Sequence, residues 1–238
     1  MQIADRLDEV LMAIHQATSR SRRAQGEVRL VAVSKKKPVE ALREYEQAAR
    51  AQGIPVIFGE NYLQELKLKK SFLAPGSLVH MIGPLQSNKV TDAVRYSDVI
   101  ESVHSAKILM LIAKAARAIG KVQPIFLQVN IGDDPNKSGF ARVDVQSAVD
   151  VAVAHRDALE LVGLMTITPY EEDPELTRRY FAALAGLRRD LIAAGSAHCF
   201  SGGHIALSMG MSADYPVAIE EGADFVRIGT ALFGERQE

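Results

Sequence analysis

Leu30-Val31-Ala32-Val33-Ser34-Lys35 is a short apolar run, rich in β-branched residues, that ends in an amine. Its length and composition predict a buried strand. Pro38 and a helix-like stretch over 38–52 follow at once, so the run reads as the first half of a βα unit. The unit repeats. Further strands are expected at 55–58, 78–82, 97–101, 124–130, 160–167, 197–201 and 223–228. Between them lie helical patterns near 60–73, 86–95, 104–120, 141–157, 173–194 and 211–221. Gly53 and Gly120 mark helix ends, and Ser102 or Ser105 is placed to cap the helix over 106–119.

Strict alternation of strand and helix predicts parallel βα units, either in a doubly wound sheet or in a (β/α)8 barrel. The length of 238 residues suits a single barrel, and no Gly-x-Gly-x-x-Gly follows the first strand. The α/β class is therefore expected as a single (β/α)8 TIM barrel with an extra N-terminal helix. Residues 3–18 carry Ile3, Leu7, Val10, Leu11 and Ile14 on one helical face, so residues 1–24 are expected to form that helix, packed on the barrel. No Pro/Gly/Ser-rich linker or low-complexity tract divides the chain, and 1–238 reads as one domain.

Composition narrows the function. A net charge of −1 gives no bulk reason to bind nucleic acid or an anionic membrane. Cys199 is the lone cysteine, which rules out an intrachain disulfide and a cysteine-based metal cluster; it reads as a small apolar filler in the strand over 197–201. The histidines lack ligand spacing, so no metal is expected, and His80 reads as a core histidine. No apolar stretch approaches the roughly 20 residues that span a bilayer, and the N-terminus lacks a signal-peptide pattern. Arg20, Arg22 and Arg23 hint at a transit peptide, but Asp5, Asp8 and Glu9 argue against one. The expected location is the cytoplasm.

Barrels gather their chemistry where strands end and βα loops begin. Strand alternation puts Val31, Val33 and Lys35 on one face and Ala32 and Ser34 on the other. If the larger residues point inward, Lys35 does too, and burial would lower its pKa as an imine-forming amine requires. Lys36 would point into solvent. Arg227, inside the otherwise apolar Phe225-Val226-Arg227-Ile228, needs either a core carboxylate or a ligand. Gly229 permits close backbone approach and Thr230 adds a hydroxyl, so the pair suits a phosphate. Ser208, ahead of the helix expected over 211–221, reads either as an N-cap or as part of an anion site. Loops after strands seven and eight commonly bind phosphate in barrels, which favours the second.

These blocks resemble the pyridoxal phosphate homeostasis protein family, single-barrel relatives of the alanine racemase N-terminal domain. The resemblance is carried by Ala32-Val33-Ser34-Lys35, Phe58-Gly59-Glu60-Asn61-Tyr62 with Gln64-Glu65, and His80 through Lys89. It continues through Gln128-Val129-Asn130-Ile131, Lys137-Ser138-Gly139, Gly163-Leu164-Met165-Thr166, Leu207 through Ser212, and Val226-Arg227-Ile228-Gly229 with Phe233-Gly234. The resemblance implies that Lys35 carries pyridoxal 5′-phosphate (PLP) as a Schiff base. It implies that Ser208 and the backbone of Gly229 and Thr230 hold the phosphate, that Arg227 faces the pyridine nitrogen, and that Asn61 lies beside the ring. Lys137 matches a second family lysine associated with PLP handling. Two departures stand out: Lys36 replaces a common small residue, and Phe200 through Ala206 is longer and richer in glycine than the pattern.

An arginine facing the ring nitrogen cannot take a proton from it, which weakens the cofactor as an electron sink. In the resembled racemases one base is a tyrosine from a second domain of the partner subunit, whereas here the barrel takes up the chain. The expectation is a monomeric, non-catalytic carrier or buffer of PLP, possible recipients being PLP-dependent apoenzymes. The alternative is a PLP-dependent amino-acid racemase-like enzyme. A third reading is a PLP-free lyase using Lys35 as an aldolase-type imine former, which colour on adding PLP distinguishes.

Overall fold

Eight parallel strands close on themselves, each paired with the next and the last with the first. They are β1 (Arg29–Val33), β2 (Ile57–Glu60), β3 (Leu78–Met81), β4 (Val99–Val103), β5 (Gln123–Gln128), β6 (Leu159–Met165), β7 (Ala206–Met211) and β8 (Phe225–Ile228). Helix α1 (Ile3–Arg20) precedes the barrel. Helices α2 (Val39–Ala51), α3 (Leu63–Lys70), α4 (Val90–Tyr96), α5 (Ala106–Ala118), α6 (Val145–Ala154), α7 (Arg178–Ala193) and α8 (Tyr215–Glu220) follow the first seven strands. A one-turn helix, α9 (Thr230–Phe233), follows β8. This computed structural model describes residues 2–21 and 27–235. Arg22, Arg23 and the end of the helix expected over 1–24 lie outside the described residues.

The period-two alternation of the strands sorts the core into two compartments. Val31, Ile57, Phe126, Met165, Ala206 and Phe225 fill the barrel interior. Phe126 and Phe225 meet edge to face with centroids 5.5 Å apart, and the Arg29 guanidinium lies 5.3 Å from the Phe225 ring. Leu30, Ala32, Phe58 and Ile100 face the other way, into the layer beneath the helices. Helix α1 buries Ile3, Leu7, Val10 and Ile14 in that same layer, against α2, α8 and α9. Each fully buried aliphatic side chain is worth about 1.5–3 kcal/mol, so this helix is anchored by its apolar stripe. Gly53 and Gly120 close their helices with φ of 68° and 65°, and Ser105 caps α5 by accepting from Ile108 N. Among the described residues no helix is long and apolar enough to cross a membrane.

One strand lies elsewhere than the sequence predicts. Residues 197–201 form tight 3₁₀ turns, and β7 runs from Ala206 to Met211. Ala206-Leu207-Ser208-Met209-Gly210-Met211 has no β-branched residue, so strand propensity is silent there. Pairing with β6 and β8 makes it a strand. Cys199 accordingly sits half-buried in a turn rather than in a strand. The glycine-rich Ser201–Gly203 segment lies before β7, at the far end of that strand from the mouth.

Gly163 makes the β6–β7 pairing possible, because a Cβ there would lie 1.9 Å from the Ala206 carbonyl oxygen. Gly163→Ala is expected to lower unfolding free energy by about 3 kcal/mol through overpacking, measured by urea titration.

Candidate binding site at the barrel mouth

The register of the closing pair sets the site. Val31 lies opposite Arg227 and Ala32 opposite Ile228. Continuing the ladder brings Val33 level with Gly229, whose Cα would carry a Cβ only 3.5 Å from Val33 Cβ. Lys35 then stands just above, at the C-terminal end of the barrel. Together with Asn61, Arg227, Gly229 and Thr230 it lines a cavity of about 550 Å³. Lys37, Ser212, Ile167, Tyr170 and Met211 contribute to the same wall. Among the described residues the lining carries three cationic side chains and no carboxylate. A chain with almost no net charge thus presents a mouth that favours anions.

Beneath the mouth lies a buried polar cluster. Arg227 points inward and is 3% exposed. Its Nη1 donates to Ser208 Oγ (2.8 Å) and its Nη2 to the Thr166 carbonyl (2.7 Å). Ser208 in turn donates to Glu101 Oε2 (2.6 Å), and His80 Nδ1 donates to Glu101 Oε1 (2.6 Å). Arg227 Nη1 is 4.0 Å from the same Glu101 carboxylate. Burial lowers the Arg227 pKa, opposed by Glu101 and Asp214. Both readings of Arg227 therefore meet in one side chain: it faces a core carboxylate and it lines the cavity.

At the rim, α9 begins beside the cavity. Ser212 Oγ accepts from the backbone N–H of Gly229 (3.1 Å) and of Ala231 (3.4 Å), tying the loop after β7 to the turn after β8. Lys37 Nζ donates to the carbonyls of Phe233, Gly234 and Glu235. Gly83 lets the loop after β3 pass against Asn61, since a Cβ there would lie 2.2 Å from Asn61 O.

Comparison with known proteins gives this geometry a family. The family described as alanine racemase, N-terminal domain, matches residues 11–237. A protein of Aquifex aeolicus named pyridoxal phosphate homeostasis protein is 37% identical over 238 residues, covering 100% of both chains. One of the same name from Pseudomonas aeruginosa is 39% identical over 235 residues, covering 98% of this chain and 96% of that one. This chain belongs to the pyridoxal phosphate homeostasis protein family. Among solved structures, PipY of Synechococcus elongatus PCC7942 superposes with a TM-score of 0.83 at 33% identity, covering 98% of this chain and 100% of that chain. PipY solved with PLP bound gives a TM-score of 0.82 at 32% identity, with the same coverage.

Set against the family pattern, Lys35, Asn61, Arg227, Gly229 and Thr230 come together around one cavity, and Ser208 does not line it. Because β7 begins after residue 205, Ser208 is a mid-strand residue whose hydroxyl is spent on Glu101 and Arg227. Ser212 is the serine at the mouth. Lys36 is exposed, and Lys137 reaches the Thr168 carbonyl in the loop after β6. Burial lowers the Lys137 pKa, opposed by Asp134. His80 is a core histidine, held by Glu101. Sequence reasoning passed over Glu101, although a carboxylate inside Val99-Ile100-Glu101-Ser102-Val103 poses the same burial problem as Arg227.

Burial pushes the Glu101 carboxyl up, but bonding and charge from His80, with Arg227 and Ser208, hold it below the ordinary carboxylate range. A carboxyl lowered by folding stabilises fully above its unfolded pKa of about 4.3, and that stabilisation is lost as pH falls through the folded value. Glu101→Gln is expected to cost about 3 kcal/mol at neutral pH, as removing one member of a buried pair does. Urea titrations below about pH 4.3 should show the variant losing less further stability than the wild type.

Proposed function

We propose that this protein binds PLP at the barrel mouth and holds it for intracellular PLP homeostasis, as a carrier or buffer rather than an enzyme. The observation that carries this reading is the convergence of Lys35, Arg227, Ser212 and Gly229 on one cavity with no carboxylate among the described residues of its lining. That donor set matches the three polar regions of PLP. Bound there, PLP supplies an aldehyde that an amine captures reversibly as an imine with loss of water, and a phosphate dianion.

Lys35 is the amine. Gly229 and Thr230, with Ser212 between the two loops, form the phosphate end, where small residues and hydroxyls line the cavity. Arg227 faces the pyridine nitrogen as a cation that donates and cannot accept. Ser208 supports the site from below by fixing Arg227. Asn61 flanks the ring. Lys137, which donates to the Thr168 carbonyl, is not among the residues lining the cavity.

A carrier rather than a racemase is supported by the relatives, which match end to end and are named homeostasis proteins. A cation at the ring nitrogen points the same way, because it leaves the ring a weaker electron sink. In this reading the barrel and α1 act as one domain, as a cytoplasmic monomer. PLP-dependent apoenzymes are the recipients.

Purified protein mixed with PLP is expected to turn yellow and, after borohydride, to carry a pyridoxyl group on Lys35 alone by peptide mapping. A label on another residue would overturn the assignment. Lys35→Ala should abolish the label. Steady-state turnover of an amino acid that Lys35→Ala removes would establish the racemase-like alternative instead.

A further inference from the structure

Lys35 stands between two residues whose backbone is gripped from behind the barrel wall. In β2, Ile57 faces the interior, so Glu60 points the opposite way, toward the helices. There it meets Lys69 of α3, and both are almost fully buried. Lys69 Nζ donates to the Ser34 carbonyl (2.6 Å), to Glu60 Oε1 (2.7 Å) and to Glu65 Oε2 (2.7 Å). All three protons of the ammonium are thereby used. Ser34 Oγ also donates to Glu60 Oε1 (2.6 Å). On the other side of Lys35, the backbone N–H of Lys36 donates to Glu65 Oε2 (2.7 Å).

The cluster therefore holds residue 34 by its carbonyl and hydroxyl and residue 36 by its amide. Lys36 has φ of 58°, a left-handed conformation that residues with a Cβ rarely adopt. Such a turn persists where surrounding contacts over-determine it. Packing alone does not call for this arrangement. Buried ion clusters commonly do no better for stability than apolar residues of the same volume, and here Glu60 Oε2 is buried with no hydrogen-bond partner among the described residues. Burial raises the Glu60 pKa, with Lys69 opposing. The return on that cost is geometric: the contacts converge on the two neighbours of one lysine.

We propose that Glu60, Glu65 and Lys69 are positioning residues for Lys35, clamping Ser34 and Lys36 so that the amine enters the cavity at the angle that imine formation requires. This inference rests on the reading of Lys35 as the PLP tether.

Pyridoxine 5′-phosphate separates the clamp from the pocket, because it has the ring and phosphate of PLP and no aldehyde. Glu65→Ala, on a partly exposed helix face, is expected to bind that analogue with wild-type affinity. Its affinity for PLP and its borohydride labelling of Lys35 should fall about tenfold or more, a misplacement of about 1 Å in a reacting group being able to cost about a hundredfold. Glu65→Gln, which keeps an oxygen for the Lys36 amide, should recover most of the loss. Lys69→Met should show the same split between the two ligands, and urea melts confirm that each variant is folded. Equal weakening toward both ligands, or no change toward either, would overturn the clamp while leaving the tether in place. Wild-type protein that binds PLP without a label on Lys35 would overturn the tether, and the inference with it.

Discussion

Strand β1 pairs with β8 in a register that sets Val31 beside Arg227, and the cavity follows from that pairing. Lys35 and Gly229 are almost the whole chain apart in sequence, yet they are neighbours because the first and last strands share hydrogen bonds. An open sheet would have put these strands away from one another. Closure also gives the interior a definite inside, so inward residues from all strands stack in layers. The lower layer is apolar, with Phe126 and Phe225 at its centre. Above it the inward positions turn polar, and the site opens at the top.

The middle layer explains how a barrel tolerates an arginine near its axis. Arg227 is buried in a setting where an isolated charge would be very costly. Ser208, the Thr166 carbonyl and Glu101 surround it, and His80 takes the other oxygen of Glu101. Arg227, which lines the cavity, is thus the upper member of a chain of contacts spanning β3, β4, β7 and β8. Its orientation is fixed by strands rather than loops, which is the more exact way to hold a binding group.

Much of this was legible in the residues. The phase of β1 was readable because its apolar run is continuous and β-branched, so counting by two from Val31 leads to Lys35. Arg227 was readable because a charge in an apolar strand must have a reason. Strand β7 was hidden, because Ala206 to Met211 owes its conformation to its neighbours and contains none of the residue types that favour strands. That single displacement moved Ser208 from the rim into the wall and left the rim to Ser212. The short α9 was hidden too, being one turn long and held by Lys37 and Ser212 from distant segments. The grip of Glu65 on Lys36 joins a side chain of α3 to a backbone amide beyond β1. No periodicity records a contact of that kind.

The rim bears on how long a ligand stays. Tyr170 is 86% exposed and stands out into solvent, while Met211 and Ile167 at 40% and 36% leave the entrance half open. Among the described residues the Lys35 amine is therefore open to water from that side. In the proposed role release takes two events, hydrolysis of the bond to Lys35 and loss of the contacts at the phosphate end. A store built this way would couple a chemical step at a single lysine to a physical one at its anion site.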